Sequence, residues 1–144
     1  MSLELLLLVG NTFNSLLPDP KYWLFHPEIY PAIKDDRNPD DIDLPGGCIY
    51  HYYPGGMIAY HRVNGRLRIH PHILPAYRNQ AKRYVMDSIE KIGEEVECFI
   101  PECFRHVRIF AGQCGFKVVS IVPDAYLREG VFYSSTLMVR LWAL

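Results

Sequence analysis

The sequence predicts an α/β domain of the α+β kind, a mixed and mostly antiparallel sheet with one parallel strand pair, flanked by helices. Two patterns carry that expectation. Asn64-Gly65 divides the alternating runs MIAYHRV and RLRIHPHIL, and Asn-Gly favours a two-residue turn with positive φ at both positions, so the two runs pair antiparallel. Ala81, Tyr84, Val85, Ile89 and Ile92 then recur at helical spacing before the strand-like EVECFIP. A strand, a helix and a further strand in one sheet need a right-handed crossover, which makes the runs ending near Leu74 and starting near Glu95 parallel neighbours.

The remaining elements follow in order. Ser2 caps an apolar helix through LELLLLVGNTFNSLL that stops before Pro18, and the prolines at 18, 20, 27 and 31 chop the next segment into turns and at most one short helix, anchored by Trp23, Phe25, Ile29 and Tyr30. A solvated acidic loop covers Asp35 to Asp43. CIYHYY and the Pro54-Gly55-Gly56 turn open a three-strand meander, in which Pro71 predicts a bulge or a strand end near His70 to His72 because it has no N–H for a ladder. The best helix runs from Tyr77 to the Gly93 stop. A second, Cys103 to Cys114, buries Phe104, Val107, Phe110, Ala111 and Cys114, and the rest forms two long strands around an Arg128-Glu129-Gly130 turn.

Composition bounds the function classes. One domain, 1–144, accounts for the length, and 49% hydrophobic with 22% charged residues is a globular balance. The formal charge of −1 supplies no global field for nucleic acid or an anionic membrane, so neither is an expected partner. Cys48, Cys98, Cys103 and Cys114 form no CxxC pair and read as reduced thiols of a cytoplasmic protein. The start MSLELLLLVG has no basic n-region and is too short to span a membrane.

The order of elements, with the P-x-x-R turn from Pro75 to Arg78 and the Gly115-Phe116 pair closing the second helix, resembles the GNAT (Gcn5-related N-acetyltransferase) superfamily, most of all its small bacteriophage-encoded members. That resemblance implies acetyl-CoA as cofactor, lying where the parallel strands splay apart, with its pyrophosphate at the start of the following helix. Helix starts suit that use, because their unpaired N–H groups and partial positive charge favour anions. The implied cofactor-binding residues are Ile73, Leu74, Arg78, Asn79, Gln80, Ala81, Lys82 and Arg83. Arg78, Ala81 and Arg83 fall on the family's Q/R-x-x-G-x-G/A loop, from which Arg83 departs. In the family's N-x-x-A-x-x-x-Y-x-x-x-G-F helix this chain has Phe104, Val107 and Ala111, the last in place of the tyrosine that protonates the departing thiolate.

Amine acylation needs a base for the ammonium, donors for the oxyanion and an acid for the thiolate. The resemblance puts the oxyanion donor on backbone between His72 and Leu74, and the candidate catalytic bases are Glu97, His70 and His72. His70 and His72 share a strand face, with His61 across the hairpin, yet no further ligand is evident and no metal is expected. The ten tyrosines would also suit a protein-protein surface. Two functions therefore stand side by side. One is an N-acyltransferase with an eroded site, acting on an amine substrate; the other is an inactive fold serving as a virion or head or tail assembly component through contacts with other phage proteins.

Overall fold

The computed structural model describes residues 19–37 and 46–142. The helix expected from Ser2 and most of the acidic loop lie outside the described residues. Two short helices, α1 (Pro20–Leu24) and α2 (Tyr30–Ile33), precede the sheet where at most one was expected. Pro20 opens α1 and Pro31 is the second residue of α2, where a fixed φ and missing N–H suit a first turn, and Asp19 caps α1 by accepting from the Lys21 N–H at 2.8 Å.

The strands are β1 (Ile49–Tyr53), β2 (Gly56–Val63), β3 (Arg66–Ile73), β4 (Val96–Pro101), β5 (Lys117–Arg128) and β6 (Val131–Arg140), in one six-stranded sheet of order β1-β2-β3-β4-β6-β5. Only β3 and β4 are parallel. Asn64 (φ 52°) and Gly65 (φ 83°) make the expected turn, and Glu129 (φ 51°) with Gly130 (φ 77°) repeat that geometry between β5 and β6.

The predicted helix from Tyr77 divides into a 3₁₀ turn, Pro75–Gln80, and α3, Ala81–Ile92, which ends at left-handed Gly93 (φ 68°). The last helix, α4, is shorter than expected, Arg105–Gln113. It buries Ala111, while Val107, expected inside, is exposed.

Strand alternation sends Ile58, Tyr60, Leu67, Ile69, Val96, Cys98 and Ile100 to one face, where Tyr84, Val85 and Ile89 of α3 and Ala111 of α4 close the main core. Each large side chain buried there contributes roughly 1.5–3 kcal/mol. Hydroxyls fix α3 over the meander: Ser88 Oγ lies 2.6 Å from both Tyr60 Oη and His51 Nδ1, and Tyr84 Oη donates to Pro54 O at 2.7 Å. On the other face Trp23 and Ile29 pack on Met57 and Ala59. The chain after α2 is tied to the far hairpin, with Tyr126 Oη donating to Ile33 O and Lys34 O and the Asp36 N–H donating to Leu127 O.

Candidate functional site

The β3–β4 ladder is short. β2 and β3 stay paired from Val63↔Arg66 to Gly56↔Ile73, but β3 meets β4 only at Leu67↔Val96 and Arg68↔Glu97. Past Arg68 the two strands part.

The Leu74 N–H donates to Gly55 O at 2.9 Å, which fixes the ladder's alternation: even-numbered residues of β3 turn their N–H to β2, while Ile69, Pro71 and Ile73 face the gap. Pro71 therefore costs the β2–β3 ladder nothing. Of the bulge or strand end expected near His70 to His72, β3 ends at Ile73 but no bulge forms, because the proline stands where no β2 partner is needed and the register runs straight through Ile58↔Pro71. Of the backbone donors between His72 and Leu74, only that of Ile73 points into the splay.

The same alternation gathers side chains on the face away from α3 and α4. Arg68, His70 and His72 come from β3, His61 from β2, and Glu97 and Phe99 from β4. Glu97 is buried, and one of its carboxylate oxygens accepts from Arg68 Nη2 at 3.2 Å; the guanidinium lies 4.8 Å from the Phe99 ring centre. His61 Nδ1 and His70 Nε2 are 2.9 Å apart with the rings stacked. Burial, aided by neighbouring His61, pushes the His70 pKa down to about 3, and burial alone pushes that of His72 down to about 4. Both imidazoles are therefore neutral near pH 7. His72 is 6% exposed, and neither ring nitrogen has a partner.

His70, His72 and Glu97, named from sequence, thus share one face. Arg68 and Trp23 were missed. The period-2 pattern of RLRIHPHI already places Arg68 with the histidines, whereas nothing in the sequence indicates that Trp23 folds onto Met57 and Ala59.

At the head of α3, Ile73 and Leu74 are half-buried, as are Gln80 and Ala81, while Arg78, Asn79, Lys82 and Arg83 are exposed. No acid stands in the first turn of α3. The 3₁₀ turn uses one donor expected to be free, since the Ala81 N–H donates to Arg78 O. Arg83 leans over the Tyr84 ring, 5.5 Å from its centre. In α4 the Ala111 methyl is buried in the core and offers no proton.

Among the described residues no group of three or more His, Cys, Asp or Glu is arranged to hold a metal, and no helix is long and apolar enough to cross a membrane.

The fold is shared with solved acetyltransferases. A chimera of the Vibrio cholerae spermidine N-acetyltransferase SpeG with hSSAT superposes with a TM-score of 0.57 at 11% identity, over 60% of this chain and 58% of that one. A structure assigned as a phosphinothricin N-acetyltransferase gives 0.55 at 16% identity, over 62% and 65%. The Escherichia coli ribosomal-protein-S18-alanine N-acetyltransferase gives 0.52 at 13%, over 62% and 63%.

This is the GNAT fold.

The match spans less than two thirds of the length of those GNAT chains. No protein-family model matches the sequence, and no curated protein matches it. In GNAT terms, β3 and β4 are the splayed pair, with the 3₁₀ turn and α3 following the first of them.

Proposed function

We propose that the protein is an acyl-CoA-dependent N-acyltransferase. The observation that carries this reading is the free inner edge of β3, where the Ile73 N–H faces the gap beside a helix start rich in cations and lacking acids. An acyl-CoA fits those residues in a particular way. Arg78, Lys82 and Arg83 match its phosphates, small Ala81 admits close approach, and the cations compensate for the Ala81 N–H already engaged with Arg78 O. Bound there, it would supply an activated thioester carbonyl.

The chain's own groups do the rest. The Ile73 N–H donates to the carbonyl oxygen as negative charge develops on it. The candidate bases for the proton that an ammonium must lose before its nitrogen can attack are Glu97, His70 and His72; burial holds both imidazoles at low pKa, so the histidines only relay that proton on its way to solvent. Ala111 cannot return a proton to the thiolate, so that proton comes from solvent. The test is thermal denaturation with acetyl-CoA, followed by an acyl-transfer assay. A ligand of the native state must raise the melting temperature, and no shift at millimolar acetyl-CoA sinks the reading.

A second reading, an assembly component of a phage particle without catalysis, is supported by β5. Lys117 to Asp124 are exposed on this edge strand, including Val118, Val119, Ile121 and Val122. An apolar edge with free backbone groups invites pairing with another chain. Absence of the protein from purified particles would count decisively against it.

A further inference from the structure

At the end of the sheet away from the splay, the face that carries Arg68 and Glu97 holds a cleft of about 420 Å³. Strand pairing fixes its place. Val139 of β6 stands opposite Glu97 of β4 on one side and Lys117 of β5 on the other, and residues opposed in antiparallel strands project from the same face. Arg66 and Glu95 come two residues before Arg68 and Glu97, so they rise from that face as well. Buried Val139 is therefore the floor, between a wall from β5 and a wall from the starts of β3 and β4. Leu141 lines the cleft two residues further on, and Gly115 leaves part of its rim without a side chain. The parallel strands part in the opposite direction, past Arg68, so this cleft is separate from the gap between them.

Its lining combines surplus positive charge with bare aliphatic surface. Among the described residues Lys117 has neither an ion pair nor a side-chain hydrogen bond. Arg66 Nε lies 3.4 Å from Glu95 Oε1, in a pair whose side chains are 51% and 37% exposed. Exposed pairs of this kind contribute little, so a ligand draws on Arg66 at small cost. Two cations against one carboxylate leave a single positive charge. The other lining side chains, Val119, Val139 and Leu141, have no hydrogen-bonding group. Val119 falls at a register shift in β5, where it has no β6 partner, and it and Leu141 are 57% and 69% exposed. Exposed apolar surface rimmed by polar groups marks a binding site more than scattered exposure does, and the volume falls within the range of small-molecule clefts, roughly 300–1,000 Å³.

We propose that this cleft binds a monocarboxylate on an aliphatic chain, a fatty acid of medium length, with its carboxylate between Arg66 and Lys117 and its chain along Val139 against Val119 and Leu141. The one surplus charge matches a monoanion and leaves a dianion undercompensated. A sugar would bring hydroxyls that the aliphatic lining leaves unpaired. An alkylamine would meet Arg66 and Lys117 as like charges. The site is independent of the acyltransferase reading and stands or falls without it.

The full chain is titrated with sodium octanoate, octylamine and inorganic phosphate, by thermal denaturation and by methyl NMR with labelled valine and leucine. Octanoate is expected to raise the melting temperature saturably and to shift the Val119, Val139 and Leu141 methyls ahead of all others, while octylamine and phosphate do neither at the same concentration. Lys117→Glu and Leu141→Asp alter exposed side chains, so each is expected to leave the unliganded melting temperature little changed and to weaken octanoate binding at least tenfold. Absence of octanoate binding overturns the proposal. So does equal binding of octylamine, which would mean apolar contact without charge selection, or of phosphate, which would mean an anion site without a place for the chain. Unaltered affinity in both variants, or methyl shifts centred elsewhere, overturns it as well.

Discussion

The ring of Tyr77 fills the space that any side chain at Gly55 would need. Gly55 also has a φ of 75°, and its carbonyl accepts from the Leu74 N–H. The β1–β2 turn and the 3₁₀ turn before α3 are thereby locked to each other at the mouth of the splay. Gly55→Ala should cost about 1–2 kcal/mol for the left-handed backbone and a further 1–3 kcal/mol for the displaced ring. Chemical denaturation measures the sum; a cost under about 0.5 kcal/mol would mean that the ring is not held there.

Ser88 is fully buried between Tyr60 and His51. Ser88→Ala should destabilise by about 1–3 kcal/mol, because it strands the Tyr60 hydroxyl. Adding Tyr60→Phe should recover part of that loss. A double variant as unstable as the sum of the singles would refute the pairing.

Glu97 and Arg68 form a largely buried ion pair, with side-chain exposures of 4% and 20%. Glu97→Gln should cost about 2–3 kcal/mol, somewhat below the usual range for a fully buried pair because Arg68 retains some contact with water. Replacing both by Leu and Met should cost far less than the single change. Equilibrium denaturation of the three variants decides the matter.

His72 and His70 make the fold sensitive to acid. Their folded pKa values, about 4 and about 3, lie below the ordinary histidine value of 6.5. Above pH 6.5 both rings are neutral whether the chain is folded or not, and they contribute nothing to the pH dependence. As pH falls below 6.5 the unfolded chain takes up protons that the folded one refuses, so stability falls until about pH 4 for His72 and about pH 3 for His70. At pH 5 this amounts to about 2 kcal/mol for His72. The His72→Leu variant should therefore gain more over the parent at pH 5 than at pH 8, and equal gains would contradict the assignment.

Arg78→Glu should abolish the stabilisation by acetyl-CoA, which for the parent is about 2.7 kcal/mol at a hundredfold excess over Kd. Loss of the ligand shift without loss of unliganded stability is the expected pattern, since the Arg78 side chain is exposed. Retention of the full shift would remove the head of α3 from the binding site.

Much of this was legible because local rules act strongly at particular places. Asn64-Gly65 and Gly93 do what their backbone freedom dictates, and the helical spacing between two strand-like runs forces the parallel pair. Face sharing between His70 and His72 followed from period 2, whereas the place of Glu97 on the same face depends on the β3–β4 register. Of the two effects expected of Pro71, the strand end at Ile73 is present and the bulge is not, because a proline's effect depends on which edge its nitrogen faces, and that is fixed by ladder parity several residues away. Val107 is apolar and helical yet exposed, a matter of which stripe of α4 meets the sheet. The packing of Trp23 on Met57 and Ala59 was illegible because nothing local records where α1 comes to rest.

The ties between the segment after α2 and the last hairpin also govern how the molecule is made. Ala32, Ile33, Lys34, Asp36 and Arg37 find their partners among residues 125–129, some ninety positions later in the chain. Contacts of such separation are slow to close, because loop entropy must be overcome before they give any return. During synthesis α1 can settle on Met57 and Ala59 once β2 has formed, but the segment from Ala32 to Arg37 cannot be fastened until the end of β5 has followed, so that seam is the last part of the protein to be completed.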